Sequence, residues 1–237
     1  MTRARIVSRV LKPAIWLAAL VPAARLAWGA FVTGDLGADP VRTIQDTTGL
    51  TTLILLFCTL AVTPLRRLTR LNELVRVRRL VGLFAFFYAM LHATSYFVFD
   101  QELSPPDIAA DVAKHPWVLV GFTAWLLLIP LAVTSTNGWI RRLGKRWATL
   151  HRLVYPIAAL GVLHFLWLVK KDQSEPLAYG AVLVALFVVR VAVSRMRASR
   201  RPAGGRPLPG RALKGPASGR TGRPGVLAPE DTGTSVP

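Results

Sequence analysis

What most constrains this chain is the way its charges are gathered. Six apolar stretches, each close to the roughly 20 residues that a helix needs to cross a bilayer, are separated by short charged clusters. They run from about Pro13 to Phe31 (interrupted by Arg25), between Asp46 and Arg66, between Arg79 and Asp100, between Lys114 and Arg141, from about Leu150 to Val169, and from about Pro176 to Ser194 with Arg190 near its end. Only 18% of the 237 residues are charged and 52% are hydrophobic, whereas a soluble domain of this size dilutes its core with a charged surface. The expected fold is an all-α membrane protein, a bundle of six transmembrane helices. The first stretch follows a basic start, Arg3, Arg5, Arg9 and Lys12, as a secretory signal would. It has no clear small-residue cleavage site and continues past Arg25 to a spanning length, so it is read as a span.

The loops set an expected orientation. Arg66, Arg67, Arg70, Arg76, Arg78 and Arg79 lie between the second and third stretches, and Arg141, Arg142, Lys145 and Arg146 between the fourth and fifth. The intervening loops carry Asp35, Asp39 and Asp46, then Asp100, Glu102, Asp107 and Asp111, then Lys170 and Lys171 with Asp172 and Glu175. The positive-inside rule then places both termini in the cytoplasm. The formal net charge of +18 is read as basic loops facing anionic lipid rather than as a nucleic-acid surface, because no basic helix or aromatic-interleaved motif accompanies it. The division expected is a basic N-terminus over 1–11, a transmembrane domain over 12–195 and a tail over 196–237. From about Pro202 the tail is rich in Pro, Gly and Arg and is expected to be disordered. No internal repeat is obvious.

An ionisable residue inside a span is costly, and is a functional candidate for that reason. His92 lies 13 residues beyond Arg79, and His164 lies 13 residues beyond His151, or roughly 20 Å along a helix in each case. Both stretches run in the same direction, so the two imidazoles are expected at one depth in the periplasmic half. Two neutral imidazoles at matched depth are what bis-histidine haem ligation requires. His151, at the cytoplasmic mouth of the fifth stretch, is the candidate ligand of a second haem. The matching position on the third stretch holds Arg78 and Arg79, which cannot ligate iron but pair well with propionates. Around an ideal helix His151 and His164 point roughly 140° apart, and Pro156 between them is expected to change that phase by a kink. His115, before Pro116, reads as a helix-start residue, and Arg25 as a snorkelling one. Six of the seven tryptophans read as an interfacial belt, with Trp125 in the core. Cys58 is the only cysteine, which excludes an internal disulfide and a cysteine-ligated cluster. No GxGxxG follows a strand and no P-loop occurs, so electrons would have to come from a partner or from quinol. The alternatives are a small transporter or proton pathway using the histidines, and a membrane anchor in which they only pack.

Several short motifs together resemble one family. They are Gly34-Asp35-Leu36-Gly37-Ala38-Asp39-Pro40-Val41 with Ile44-Gln45 and Thr48-Gly49, Thr63-Pro64-Leu65, and Arg78-Arg79-Leu80-Val81-Gly82-Leu83 leading to Leu91-His92 and Ser95-Tyr96. Others are Thr134-Ser135-Thr136, Leu143-Gly144-Lys145-Arg146-Trp147, Leu150-His151-Arg152-Leu153-Val154-Tyr155 and His164-Phe165-Leu166-Trp167. Over about residues 12–195 the chain resembles the MsrQ (YedZ) family, within the ferric-reductase-like transmembrane group. The resemblance implies a haem b subunit of the bacterial inner membrane that passes electrons to a periplasmic molybdopterin-containing catalytic subunit, which reduces methionine sulfoxide in damaged envelope proteins. It implies a cytosolic flavin reductase or quinol as donor, and FMN or quinone as further candidate cofactors. The family's histidines carry over onto His92, His151 and His164. Larger relatives in the wider group have four histidines in two pairs, and this chain has three.

Overall fold

The computed structural model describes residues 7–69, 74–169 and 172–199. Arg3, Arg5, Arg70, Lys170, Lys171 and the tail beyond residue 199 lie outside these residues. Among those described there is no strand, and six helical stretches are long and apolar enough to cross a membrane, at Arg9–Thr33, Pro40–Thr69, Val77–Asp100, Pro116–Val133, Lys145–Leu168 and Ser174–Met196. The chain is a multi-pass membrane protein. We number the helices α1 (Lys12–Trp28), α2 (Pro40–Thr69), α3 (Leu74–Ser95), α4 (Pro105–Lys114), α5 (Pro116–Val133), α6 (Asn137–Leu143), α7 (Lys145–Leu150), α8 (Val154–Leu168) and α9 (Ser174–Ser199).

Local chemistry sets the boundaries. Asp39 accepts the Arg42 N–H at 3.0 Å, and Pro40 at the first position of α2 has no N–H to leave unpaired. The hydroxyls of Thr48, Thr51 and Thr52 each donate to the carbonyl four residues back, which satisfies them where water is absent. The fourth apolar stretch ends at Val133, well short of Arg141. Thr134 and Ser135 close α5 by donating to Pro130 O and Leu131 O at 2.6 Å each, and Thr136 then caps α6 through the Trp139 N–H. The acidic loop after Asp100 holds an unexpected amphipathic helix, α4, started by Pro105 and Pro106 with Asp107 in its first turn. His115 follows as the N-cap residue of α5. Its Nδ1 lies 2.6 Å from Asp111 Oδ1, and Asp111 also accepts from Tyr96 Oη at 2.6 Å. A tight turn over His151–Leu153 precedes Pro156, which has no N–H to donate to Arg152 O.

The core joins Leu53, Leu56, Phe57 and Leu60 of α2 to Ala85 and Ala89 of α3, Leu128 and Leu131 of α5, Ile157 and Ala158 of α8, and Leu183 of α9. The alanines let the backbones approach, which is how helices associate where no water drives them together. Of the tryptophans, Trp147 is half-buried and donates to Thr134 O at 3.0 Å. Trp125 packs against the core as expected. The lone thiol, Cys58, is exposed on the outer face of α2.

Helix α1 is held by a wedge. Pro22 breaks its hydrogen-bond ladder, and the wholly buried Tyr88 of α3 inserts at the next residue. Its hydroxyl accepts the Ala23 N–H at 3.0 Å and donates to Ala19 O at 2.6 Å, standing between a donor and an acceptor that an unbroken helix would pair. Tyr88→Phe should therefore lower stability by about 1–3 kcal/mol, read as an earlier unfolding midpoint in a detergent titration, with α1 the first segment to become protease-sensitive. An unchanged midpoint would show that the wedge does not hold α1.

Candidate functional site

Two of the expected site residues are brought together. His92 on α3 and His164 on α8 face one another with ring centroids 6.2 Å apart and planes at 80°. Each ring is fixed from behind by a backbone carbonyl on a different helix. His92 Nδ1 lies 3.0 Å from Gln45 O of α2, with Thr48 Oγ1 at 3.5 Å. His164 Nδ1 lies 2.7 Å from Trp117 O of α5. A carbonyl oxygen only accepts, so each Nδ1 carries the hydrogen and each Nε2 of the neutral ring keeps its lone pair. This is the arrangement by which a supporting shell orients an imidazole for a metal.

The spacing fits a metal held between the rings. Imidazole–metal bonds are roughly 2 Å long, so two rings on opposite sides of one metal have centroids about 6 Å apart. Among the described residues no group of three or more His, Cys, Asp or Glu could hold a metal. A metal held by this pair would have two imidazole ligands from the chain, the number that a bis-histidine haem takes.

The rings lie close against helix backbone. A Cβ built on Gly49 of α2 would stand 3.1 Å from His92 Cε1, and one on Gly121 of α5 would stand 2.7 Å from both Cε1 and Nδ1 of His164. Gln45 and Gly49 stood among the motif residues without an assigned role, and Gly121 and the carbonyl of Trp117 were not singled out by sequence. The usable signal was there: each glycine stands four positions after its carbonyl, and each is followed at the second position by threonine, in Gly49-Leu50-Thr51 and Gly121-Phe122-Thr123.

The other expected residues sit at the opposite, basic end. His151 stacks on Trp147 with centroids 4.0 Å apart. Its Nδ1 is 3.2 Å from Trp147 O and its Nε2 is 3.4 Å from Ser135 Oγ, so both nitrogens have protein neighbours. Arg78 and Arg79 part company. Arg79 donates to Asn137 Oδ1 at 2.7 Å and ties α3 to α6. Arg78 instead lines a cavity of about 160 Å³ with Arg66, Arg190, Val62 and Thr63. Arg190 lies over the Tyr155 ring at 4.7 Å, and its buried Nη1 has no hydrogen-bond partner. Three guanidiniums from three helices thus converge where an anion would be well received. Arg25 is exposed on α1 beside an open groove that also includes Asp35.

The model of the family described as ferric reductase like transmembrane component matches residues 48–162, which take in Gly49, His92, Gly121 and His151. The chain is 50% identical over 185 residues to the "Protein-methionine-sulfoxide reductase heme-binding subunit MsrQ" of Herminiimonas arsenicoxydans, covering 77% of this chain and 84% of that one. It is 50% identical to the protein of the same name from Xanthomonas campestris pv. campestris (strain 8004), covering 76% and 85%, and 49% identical to that from Ralstonia nicotianae, covering 77% and 85%. No solved structure matches. Half of the residues are shared over more than four-fifths of these relatives' length, and the chain therefore belongs to the MsrQ family of heme-binding subunits of protein-methionine-sulfoxide reductase.

Proposed function

We propose that this chain holds haem b between His92 and His164 and serves as the membrane electron-transfer subunit of a methionine sulfoxide reductase. The observation that carries the reading is the facing pair, 6.2 Å apart, with both Nδ1 atoms tied to backbone carbonyls. Membership of a family named for heme binding supports it. When bound, the haem supplies a one-electron carrier whose potential the protein tunes.

The residues of the chain do the rest. His92 and His164 present their Nε2 atoms from two helices. Gln45 O and Trp117 O hold the rings in one tautomer, and the apolar core beneath the pair excludes water. At the basic end, Arg78 with Arg66 and Arg190 offers donors to the propionate carboxylates of a second haem, or to the anionic group of another cofactor such as FMN. Quinone is the other candidate there. His151 is the candidate ligand for a second haem, which would have to displace its neighbour Ser135. Arg79 acts structurally through Asn137.

In this reading the transmembrane domain spans about residues 12–195 and lies in the bacterial inner membrane with both termini in the cytoplasm. The basic loops receive electrons from a cytosolic flavin reductase or quinol. The opposite end, with exposed Asp100, Glu102 and Asp107, faces a periplasmic molybdopterin-containing catalytic subunit.

A reduced-minus-oxidised visible spectrum of the purified protein tests the centre. A b-type spectrum is expected, with most of it lost in His92→Ala and in His164→Ala, while His151→Ala keeps the contribution of the pair. Colourless wild-type protein from haem-supplied cells would overturn the reading. Orientation has its own test in C-terminal fusions. A fluorescent-protein fusion should fluoresce and an export-dependent phosphatase fusion should be inactive, and the reverse pattern would invert the assignment of the two ends.

A further inference from the structure

The two histidines are seated by the same device, used twice. In the α2–α3 hairpin, Gln45 O receives His92 Nδ1–H across a separation of 47 residues. In the α5–α8 hairpin, Trp117 O receives His164 Nδ1–H across 47 residues as well. Four positions after each carbonyl stands the glycine whose missing Cβ leaves space for the ring. The primary structure echoes this register. Leu60-Ala61-Val62-Thr63 returns as Leu131-Ala132-Val133-Thr134, Arg78-Arg79-Leu80-Val81 as His151-Arg152-Leu153-Val154, and Leu91-His92 as Leu163-His164. An internal repeat that is faint in the sequence is plain in where the structure puts its parts.

The chemistry explains the pairing of carbonyl with glycine. A helix carbonyl already accepts the N–H four residues on, and here that N–H belongs to the glycine. A second donor can reach the same oxygen only by lying along the helix flank, where the Cβ of residue i+4 would project. Helix interiors disfavour glycine, so its use at both places needs a reason. Of the other helical glycines none abuts a histidine: a Cβ on Gly29 would meet the Leu36 side chain at 2.6 Å, and one on Gly82, Gly161 or Gly180 would make ordinary contacts at 3.7, 3.4 and 3.6 Å.

We propose that Gly49 and Gly121 are positioning residues for the haem ligands: each admits an imidazole against the helix backbone, locks its Nδ1–H onto the carbonyl one turn back, and so aims its Nε2 at the shared metal. This rests on the haem reading given above. A methyl group at Gly121 must push His164 aside, since 2.7 Å is closer than carbon atoms approach. A methyl at Gly49, at 3.1 Å, asks the His92 ring to give by a few tenths of an ångström. The two substitutions therefore act in the same direction with unequal size.

The test uses the full-length protein in a His151→Ala background, so that only the pair contributes, and measures haem-to-protein ratio and carbon monoxide binding by the reduced form. The parent is expected to hold a six-coordinate haem inert to carbon monoxide. Gly121→Ala should weaken haem retention by roughly tenfold, the lower figure for loss of a supporting contact. The haem it keeps should bind carbon monoxide, and added imidazole should restore the inert form. Gly49→Ala should shift both readouts less, and Gly82→Ala not at all. If Gly121→Ala fails to accumulate in membranes, Gly49→Ala decides. Glycine variants with the parent's haem ratio and inertness would overturn the seating role and leave the haem reading standing. A parent without haem would overturn both, and the two failures are told apart by the parent alone.

Discussion

Each intramembrane histidine is held by a hydrogen bond from its Nδ1–H to a carbonyl of a neighbouring helix, and the arrangement of the bundle depends on that bond. In the apolar interior an imidazole cannot turn to water for a partner, so whichever nitrogen is satisfied by protein fixes the state of the other. Gln45 O and Trp117 O satisfy Nδ1 in the two rings, and the second nitrogen of each is left with a lone pair. The rings thereby meet at 6.2 Å. The buried alanines Ala85 and Ala89 of α3 and Ala158 of α8 belong to the core that α2 and α5 share with both helices.

Away from the pair, the two ends of the molecule solve different electrostatic problems. At the acidic end the carboxylates are engaged: Asp100 accepts from Gln45 Nε2 at 2.6 Å, and Asp111 gathers Tyr96, Gln101 and His115. These bonds clamp α4 over the start of α5 and close the end of the bundle nearest the histidines. At the basic end the arginines crowd together instead. Converging like charges are costly unless an anion joins them, and the buried, unpaired Nη1 of Arg190 marks where one would be received.

The helices are not uniform rods, and their interruptions are placed. Pro22 opens α1 where Tyr88 enters. Pro156 follows the tight turn that carries His151, which sets that ring stacking on Trp147 rather than continuing the line of His164. The histidine at the basic end is thus held in a manner unlike the other two, with both nitrogens occupied by protein.

Six spans and the matched depth of His92 and His164 were legible in the sequence, because bilayer thickness imposes a length that needs no tertiary information. The family motifs were legible for the same reason, being local strings. Helix α4 was not, since its ten residues are too few and too polar to stand out from a loop. Nor were the seats of the two rings. Gly49 is one residue of a threonine-rich motif and Gly121 an ordinary glycine in an apolar run until α3 and α8 are laid beside α2 and α5. Arg78 and Arg79 are adjacent and alike on paper, and only packing sends one into a cavity with Arg66 and Arg190 and the other to Asn137. The sequence by itself determined which segments enter the membrane and which residues are too polar to be there without purpose. The tertiary structure decided which carbonyl each imidazole finds, because a hydrogen bond between helices depends on a close approach that no single helix encodes.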